Sequence, residues 1–180
     1  MRPPETATLP ETLAEILIQP EAPQHCDAVE GLFDEGFGPG RFAKTAERLR
    51  EGNVPLLGLS RVALKDGEVI AAGRVWLIEI GGAPVAYFGP FAVHEEERHH
   101  GLGRIIIDAC VAAADEAGYR AMLLIGGASY FEPSGFREVP KGLLTLPGPH
   151  DPARLLWRAL KAGGLDGLSG AVTLPRAAKP

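Results

Sequence analysis

Residues 83–125 read APVAYFGPFAVHEEERHHGLGRIIIDACVAAADEAGYRAMLLI, and the way this stretch divides decides the fold. Its first eleven residues make an apolar, aromatic-rich run broken at Gly89-Pro90. Proline brings no N–H to a ladder, so a strand here must bulge or lose its partner at that point. Residues 104–120 set Ile105, Ile106, Cys110, Ala113, Ala114 and Ala117 on one wide helical stripe, with Gly118 as a C-terminal stop. AMLLI is a short continuous apolar run, the pattern of a buried strand lying parallel to the first with the helix as its crossover.

The joint between strand and helix is RHHGLGR, residues 98–104. It reads in two ways, as a turn with a helix cap or as an anion site. A helix beginning at about Gly103 presents unpaired N–H groups and the positive end of its dipole to whatever precedes it. Gly101 and Gly103 would let a diphosphate approach the backbone, and Arg98 and Arg104 could complete the neutralisation. The nucleotide fingerprints fail: GxxxxGK[ST] is absent, and Gly101-Leu102-Gly103 is followed by Arg104-Ile105-Ile106 rather than x-x-Gly. A zinc site fails too, since HEEER has Arg98 where HExxH needs its second histidine.

Working outward, LAEILIQP (13–20) reads as a first strand stopped by Pro20, and Val29, Leu32, Phe33 and Phe37 follow at helical spacing. Phe42, Ala46 and Leu49 suggest a second, more exposed helix ending near Gly52. Asp66-Gly67 between apolar arms is a hairpin signal. Gly81-Gly82 then turns the chain into the strand at 83–93. SYFEPSGF (129–136) is too polar and Gly/Pro-rich for more than a short helix or turn. Asp151-Pro152 supplies an N-cap and a first-turn proline for a helix over ARLLWRALKAGG, ending at Gly163 or Gly164. AVTL (171–174) suits a last strand. The order predicts a mixed α+β sheet.

At 180 residues the chain suits one domain with a real core. A net charge of -5 argues against nucleic acid, because phosphate neutralisation needs a basic face. A weakly acidic surface would tolerate cationic small molecules. No run of about 18 apolar residues or signal-peptide core is seen, so no membrane association is expected. Cys26 and Cys110, isolated and without CxxC spacing, read as free thiols in a reducing, cytoplasmic setting.

Residues 88–136 resemble the core of the GNAT N-acetyltransferase superfamily. FGPFAV stands for its LGPLAV-type strand, RHHGLG for its [RQ]xxGx[GA] loop and YFEPSGF for its YYxxxGF end, in order and at matching separations. GLLTLPGPHDPARLLWRAL (142–160) resembles a bacterial subgroup of predicted acetyltransferases. The resemblance implies an α+β fold with a mixed, mostly antiparallel sheet of about six to seven strands, one of them bulged and splayed at an acetyl-CoA cleft. It places acceptor-side helices at about 24–52, the acetyl-CoA core at about 85–136, and a C-terminal helix and strand at 151–174, all in a single domain over 1–180.

The resemblance further implies that the acetyl-CoA pyrophosphate is held by Arg98, His99, His100, Gly101, Leu102, Gly103 and Arg104. The pantetheine arm would run along Phe91, Ala92 and Val93, adding to the strand edge as a β-augmenting chain does. The acceptor would be an amine of a small molecule or peptide, attacking directly in a ternary complex, and a homodimer is common in the family. The leaving thiolate needs an acid. The family's tyrosine position holds Phe131, so Tyr130 acts from another angle, solvent does, or Tyr130 is only a core or CoA-contacting aromatic. The base is open among Glu79, His94 and a water chain. A non-catalytic acyl-CoA-binding or sensing module is the alternative that Phe131 raises.

Overall fold

In chain order, the computed structural model, which describes residues 15–176, runs β1 (Leu17–Pro20), α1 (Cys26–Phe37), α2 (Thr45–Arg48), β2 (Arg61–Lys65), β3 (Glu68–Ile80) and β4 (Ala83–Val93). It continues α3 (Leu102–Glu116), β5 (Ala121–Ile125), α4 (Ala128–Phe131), β6 (Arg137–Glu138), β7 (Leu144–Thr145), β8 (Leu155–Ala159) and β9 (Gly170–Thr173). Leu13 and Ala14, expected in the first strand, lie outside the described residues, as does 177–180.

Asp66 and Gly67 both take positive φ, 53° and 83°. That is what a two-residue turn matching strand twist requires, and β2 and β3 pair antiparallel on either side of it. β1 joins β2, and β4 joins β3 along almost its whole length. The sheet order is β1-β2-β3-β4-β5-β8-β6, with β9 on β3 and β7 on β9. Only β4–β5 and β7–β9 are parallel. The fold is the mixed α+β sheet that the sequence predicts, mostly antiparallel as the resemblance implies, with nine strands among the described residues rather than six or seven because short strands such as β6 and β7 add to its edges.

The helices take opposite faces. α3 buries Leu102, Ile106, Ile107, Cys110, Val111 and Ala114 against Ala71, Val75, Ala86, Phe88 and Leu124. The stripe is rotated from the expected one: Ile107 and Val111 are core, whereas Ile105 is half-buried and Ala117 exposed. On the other face Val29, Leu32 and Phe33 of α1 meet Val62, Ala72 and Ala92.

Of two expected helices one is absent and the other is cut to a single turn. Residues 155–159 form β8, not a helix: Leu156 packs into the α3 layer while Leu155 and Trp157 pack into the opposite one, a period of two rather than 3.6. The helical propensity of Leu, Arg and Ala yields to the open edge of β5, whose backbone groups need a partner. The predicted second helix breaks at Lys44, which is extended (ψ 150°), leaving a 3-10 turn over Pro39–Ala43 and the single turn of α2. Phe42 is consequently exposed while Leu49 is buried.

Candidate functional site

The gap in the sheet lies where the proline is. Gly73 pairs with Phe91 and Val75 with Phe88, so β4 carries one residue more than β3 across Gly89-Pro90. The extra residue puts Phe88 and Phe91, three apart, on the same α3-facing side, with ring centroids 5.9 Å from each other. The pairing of β4 with β5 covers only Ala86–Phe88 against Met122–Leu124. Beyond Phe88 the strands part. His94 N–H donates to Ile70 O, and the alternation of an antiparallel ladder therefore turns the N–H and C=O groups of Phe91 and Val93 to the open side.

A groove of about 580 Å³ runs along this open edge to the start of α3. The N–H groups of Leu102, Gly103 and Arg104 have no acceptor among the described residues, and no side chain caps the helix. Gly101 is left-handed (φ 82°) and His99 also has positive φ (69°), so the loop turns sharply into α3, and Gly101, Gly103 and Arg104 line the groove at the helix start. Gly103 is needed for a different reason. A Cβ there would strike the Tyr130 hydroxyl and stand 3.0 Å from Phe91 Cζ.

Most of the residues read from the sequence therefore meet in one place: Phe91, Ala92, Val93, Arg98, His99, Gly101, Gly103, Arg104 and Tyr130 all wall the groove. Leu102 contributes only its N–H, because its side chain is 1% exposed and sits in the core. His100 is exposed and off the groove wall. The two arginines are partly engaged. Arg98 Nε donates to Val93 O at 3.1 Å, and Arg104 is tied to Asp108 at 2.7 Å and to the Pro133 carbonyl.

Phe37, Phe91 and Tyr130 also wall a second compartment of about 490 Å³ under the parted strands. Its floor is Tyr87, Phe88 and Gly89 from β4 with Leu124 of β5 and Gly126 just after it. Its rim is the 41–50 segment and the loop carrying Pro149, His150 and Asp151. Thr45 Oγ1 donates to Pro149 O, which fastens the rim segments together. The segment was read as acceptor-side from the sequence. His150 and Arg154 were missed, because a loop between two short strands gives no periodic signal, although Asp151 does accept the Ala153 N–H as the N-cap reading required.

The candidate base Glu79 is not in this compartment. It sits near the far end of β3, paired with Thr173 of β9, and accepts the Arg176 N–H. A carboxylate at that end of the long strand was indistinguishable in sequence from one near the bulge. His94 lies beyond the open end of β4, on the α1 side of Arg98. Among the titratable tyrosines on the walls, burial pushes Tyr87 up to about 12 and raises Tyr130. Both are protonated at neutral pH. Phe131, where the resemblance wants an acid, is 9% exposed and packs edge-on against Phe88, Phe136 and Tyr130.

Behind the second compartment a buried ion network fixes α1. Arg74, opposite the bulge on β3, donates from Nε and Nη2 to Glu21 and from Nη1 to Glu30 of α1. Glu30 also takes Arg41 Nη2 at 2.8 Å. Burial works against ionising Glu30, but the two guanidinium groups prevail and hold its carboxyl below the usual value. Among the described residues no three His, Cys, Asp or Glu side chains cluster as metal ligands, and no helix is long and apolar enough to cross a membrane.

Comparison with known proteins shows the family and the fold. The profile of the acetyltransferase (GNAT) family matches residues 24–132. The chain is 28% identical over 160 residues to YhbS of Escherichia coli K12, described as an uncharacterised N-acetyltransferase, covering 87% of this chain and 95% of that protein. The crystal structure of E. coli YhbS in complex with CoA superposes with a TM-score of 0.76 at 25% identity, over 88% of each chain. A GNAT acetyltransferase from Brucella melitensis, in complex with acetyl-CoA, shares the fold with a TM-score of 0.66 at 22% identity, over 88% of this chain and 94% of that one.

Proposed function

Because the chain belongs to the acetyltransferase (GNAT) family, we propose that it moves an acetyl group from acetyl-CoA to an amine of a small molecule or peptide by direct attack in a ternary complex. One observation carries the reading: unpaired donors at the start of α3 and the free edge of β4 open into one groove, which continues past Tyr130 into a second compartment. The diphosphate sits on the N–H groups of Leu102, Gly103 and Arg104. The pantetheine amides pair with Phe91 and Val93 as an added strand. This brings the thioester to the parting of β4 and β5.

There the neutral amine attacks the carbonyl carbon, and an outward N–H of β4 stabilises the oxyanion as the tetrahedral intermediate forms. The C–S bond then breaks and the thiolate takes a proton from Tyr130. Its ring borders both compartments, and its hydroxyl has no hydrogen bond among the described residues. In place of Glu79, the ammonium proton goes to His150, an imidazole on the rim of the second compartment, since Asp151 is occupied as a cap. The two free thiols suit a reducing cytoplasm.

A non-catalytic acyl-CoA-binding module is the second reading, favoured by Phe131 at the acid's usual position. Titration with acetyl-CoA, CoA and ATP, followed by thiol release with an amine panel, separates the two. Transfer predicts micromolar binding of both CoA species, weak ATP binding, and turnover that Tyr130→Phe reduces without changing CoA affinity. Binding with no turnover in either form leaves the binding module. No binding of any CoA species removes both.

A further inference from the structure

The chain carries a net charge of -5, yet the second compartment is walled by Arg41, Lys44, Arg50 and Arg154 against the single carboxylate of Asp151. Two of these cations are buried, with the Arg41 and Arg50 side chains each 7% exposed. Both are held along one edge of the guanidinium only. Arg50 Nε donates to Glu47 at 3.1 Å with Nη2 in ion-pair contact with the same oxygen at 3.0 Å, and Arg41 gives Nε and Nη2 to Asp34 and Nη2 to Glu30. In each, Nη1 has no hydrogen-bond partner among the described residues.

Arg50 Nη1 lies 3.6 Å from where a Cβ on Gly89 would stand, at the bulge where β4 leaves β5. Arg50 Nη1 is open to the cleft rather than sealed from it, so water serves it until an acceptor arrives, and an anionic acceptor there gains a charge-assisted hydrogen bond from a side chain already held in place. The planar guanidinium matches a carboxylate in geometry and charge. Gly89 is also only two residues from Phe91, on the order of 7 Å along a strand. A carboxylate seated on Arg50 therefore leaves a short reach to a thioester at the β4 edge.

We propose that the acceptor is a small amino acid whose amine and carboxylate are one or two carbons apart, the carboxylate on Arg50 and the exposed Lys44 and Arg154 reinforcing the field at the rim. This rests on the acyl-transfer reading above. It reverses the expectation drawn from overall charge: polyamines and other multiply cationic acceptors meet the exposed cations Lys44 and Arg154 at the rim.

The test compares kcat/KM for α-amino acids with that for their α-amino amides, their decarboxylated amines, longer ω-amino acids and O-phosphoethanolamine, alongside acetyl-CoA titration of the same preparations. The carboxylated α-amines should lead their amides by about 100-fold, because the site's charged donors stay unpaired with the amide. Arg50→Gln should erase that lead through KM with acetyl-CoA affinity unchanged. Since Arg50→Gln strands the largely buried Glu47 (17% exposed), the double variant Arg50→Gln/Glu47→Gln and the exposed Lys44→Ala provide folded alternatives. Equal use of amides, preference for the phosphate compound, or acetyl-CoA binding without turnover of any carboxylated amine overturns the proposal while sparing the cofactor site. Absence of acetyl-CoA binding overturns the acyl-transfer reading and this one with it.

Discussion

Replacing Gly103 by Ala separates the two roles of the glycine loop. In the structure a Cβ at Gly103 meets the Tyr130 hydroxyl and approaches Phe91 Cζ to 3.0 Å. The hydroxyl is the far end of a half-exposed side chain (52%) and can swing away, so the clash is cheap to relieve. Displacement loses the Tyr130–Phe91 ring contact, now at 6.1 Å between centroids, worth about 0.5–1.5 kcal/mol. Against that, Ala in place of Gly inside a helix gains up to about 1 kcal/mol. The two nearly cancel, so the melting temperature should move by only a few degrees. Binding should not be spared, because the new methyl stands beside the three free N–H groups of α3. Loss of one hydrogen bond to a charged group costs about 1.5–3 kcal/mol, which weakens acetyl-CoA about 10- to 100-fold. Calorimetric titration of acetyl-CoA and CoA, with thermal melts of the same samples, reads both quantities. Unchanged affinity in a stably folded Gly103→Ala protein would refute the phosphate cradle, and RHHGLGR would be a turn that merely accommodates Tyr130.

The Arg74–Glu21 pair is buried, with side chains 6% and 0% exposed. Arg74→Leu leaves a carboxylate uncompensated in the core and should cost about 3–5 kcal/mol in urea denaturation; a loss below 1 kcal/mol would mean the pair does not hold the chain after β1 to β3. Glu30 contributes to acid stability with a definite sign. Its folded-state pKa is lowered, so its contribution is present above the ordinary 4.5 and is lost as pH falls through the lower folded value. The melting-temperature gap between parent and Glu30→Gln should therefore be widest above pH 4.5 and close below it; a gap that is constant or grows on acidification would reverse that assignment. Burial raises the Cys110 thiol to about 12, so it should stay unreactive to a disulfide reagent at pH 7–8 until the protein unfolds, as timed thiol titration in native and denaturing buffer would show.

Much was legible because it is local. Period-two and period-3.6 apolar patterns, the Asp66-Gly67 turn and the Gly118 stop each act over a few residues, and they fixed β2, β3, β4, α1, α3 and β5. The loop at 98–104 was legible for the same reason, since glycine conformation and a helix start are properties of a short segment. Residues 155–159 were not. LLWRA satisfies a helix as readily as a strand, and the choice was made by the unpaired edge of β5, some thirty residues away in sequence. The second compartment escaped similarly. Arg50, Thr45 and His150 have no spacing that connects them; the Thr45–Pro149 hydrogen bond and the parting of β4 from β5 bring them together. Glu79 shows the converse, a chemically suitable carboxylate that the length of β3 carries to the wrong end of the sheet. The sequence by itself determined the family-like core, the strand break at Gly89-Pro90 and the glycine loop, because each is a backbone constraint written in consecutive residues. Only the tertiary structure decided which charges line the second compartment, because burial and pairing between distant segments choose which nitrogen of Arg50 is left free.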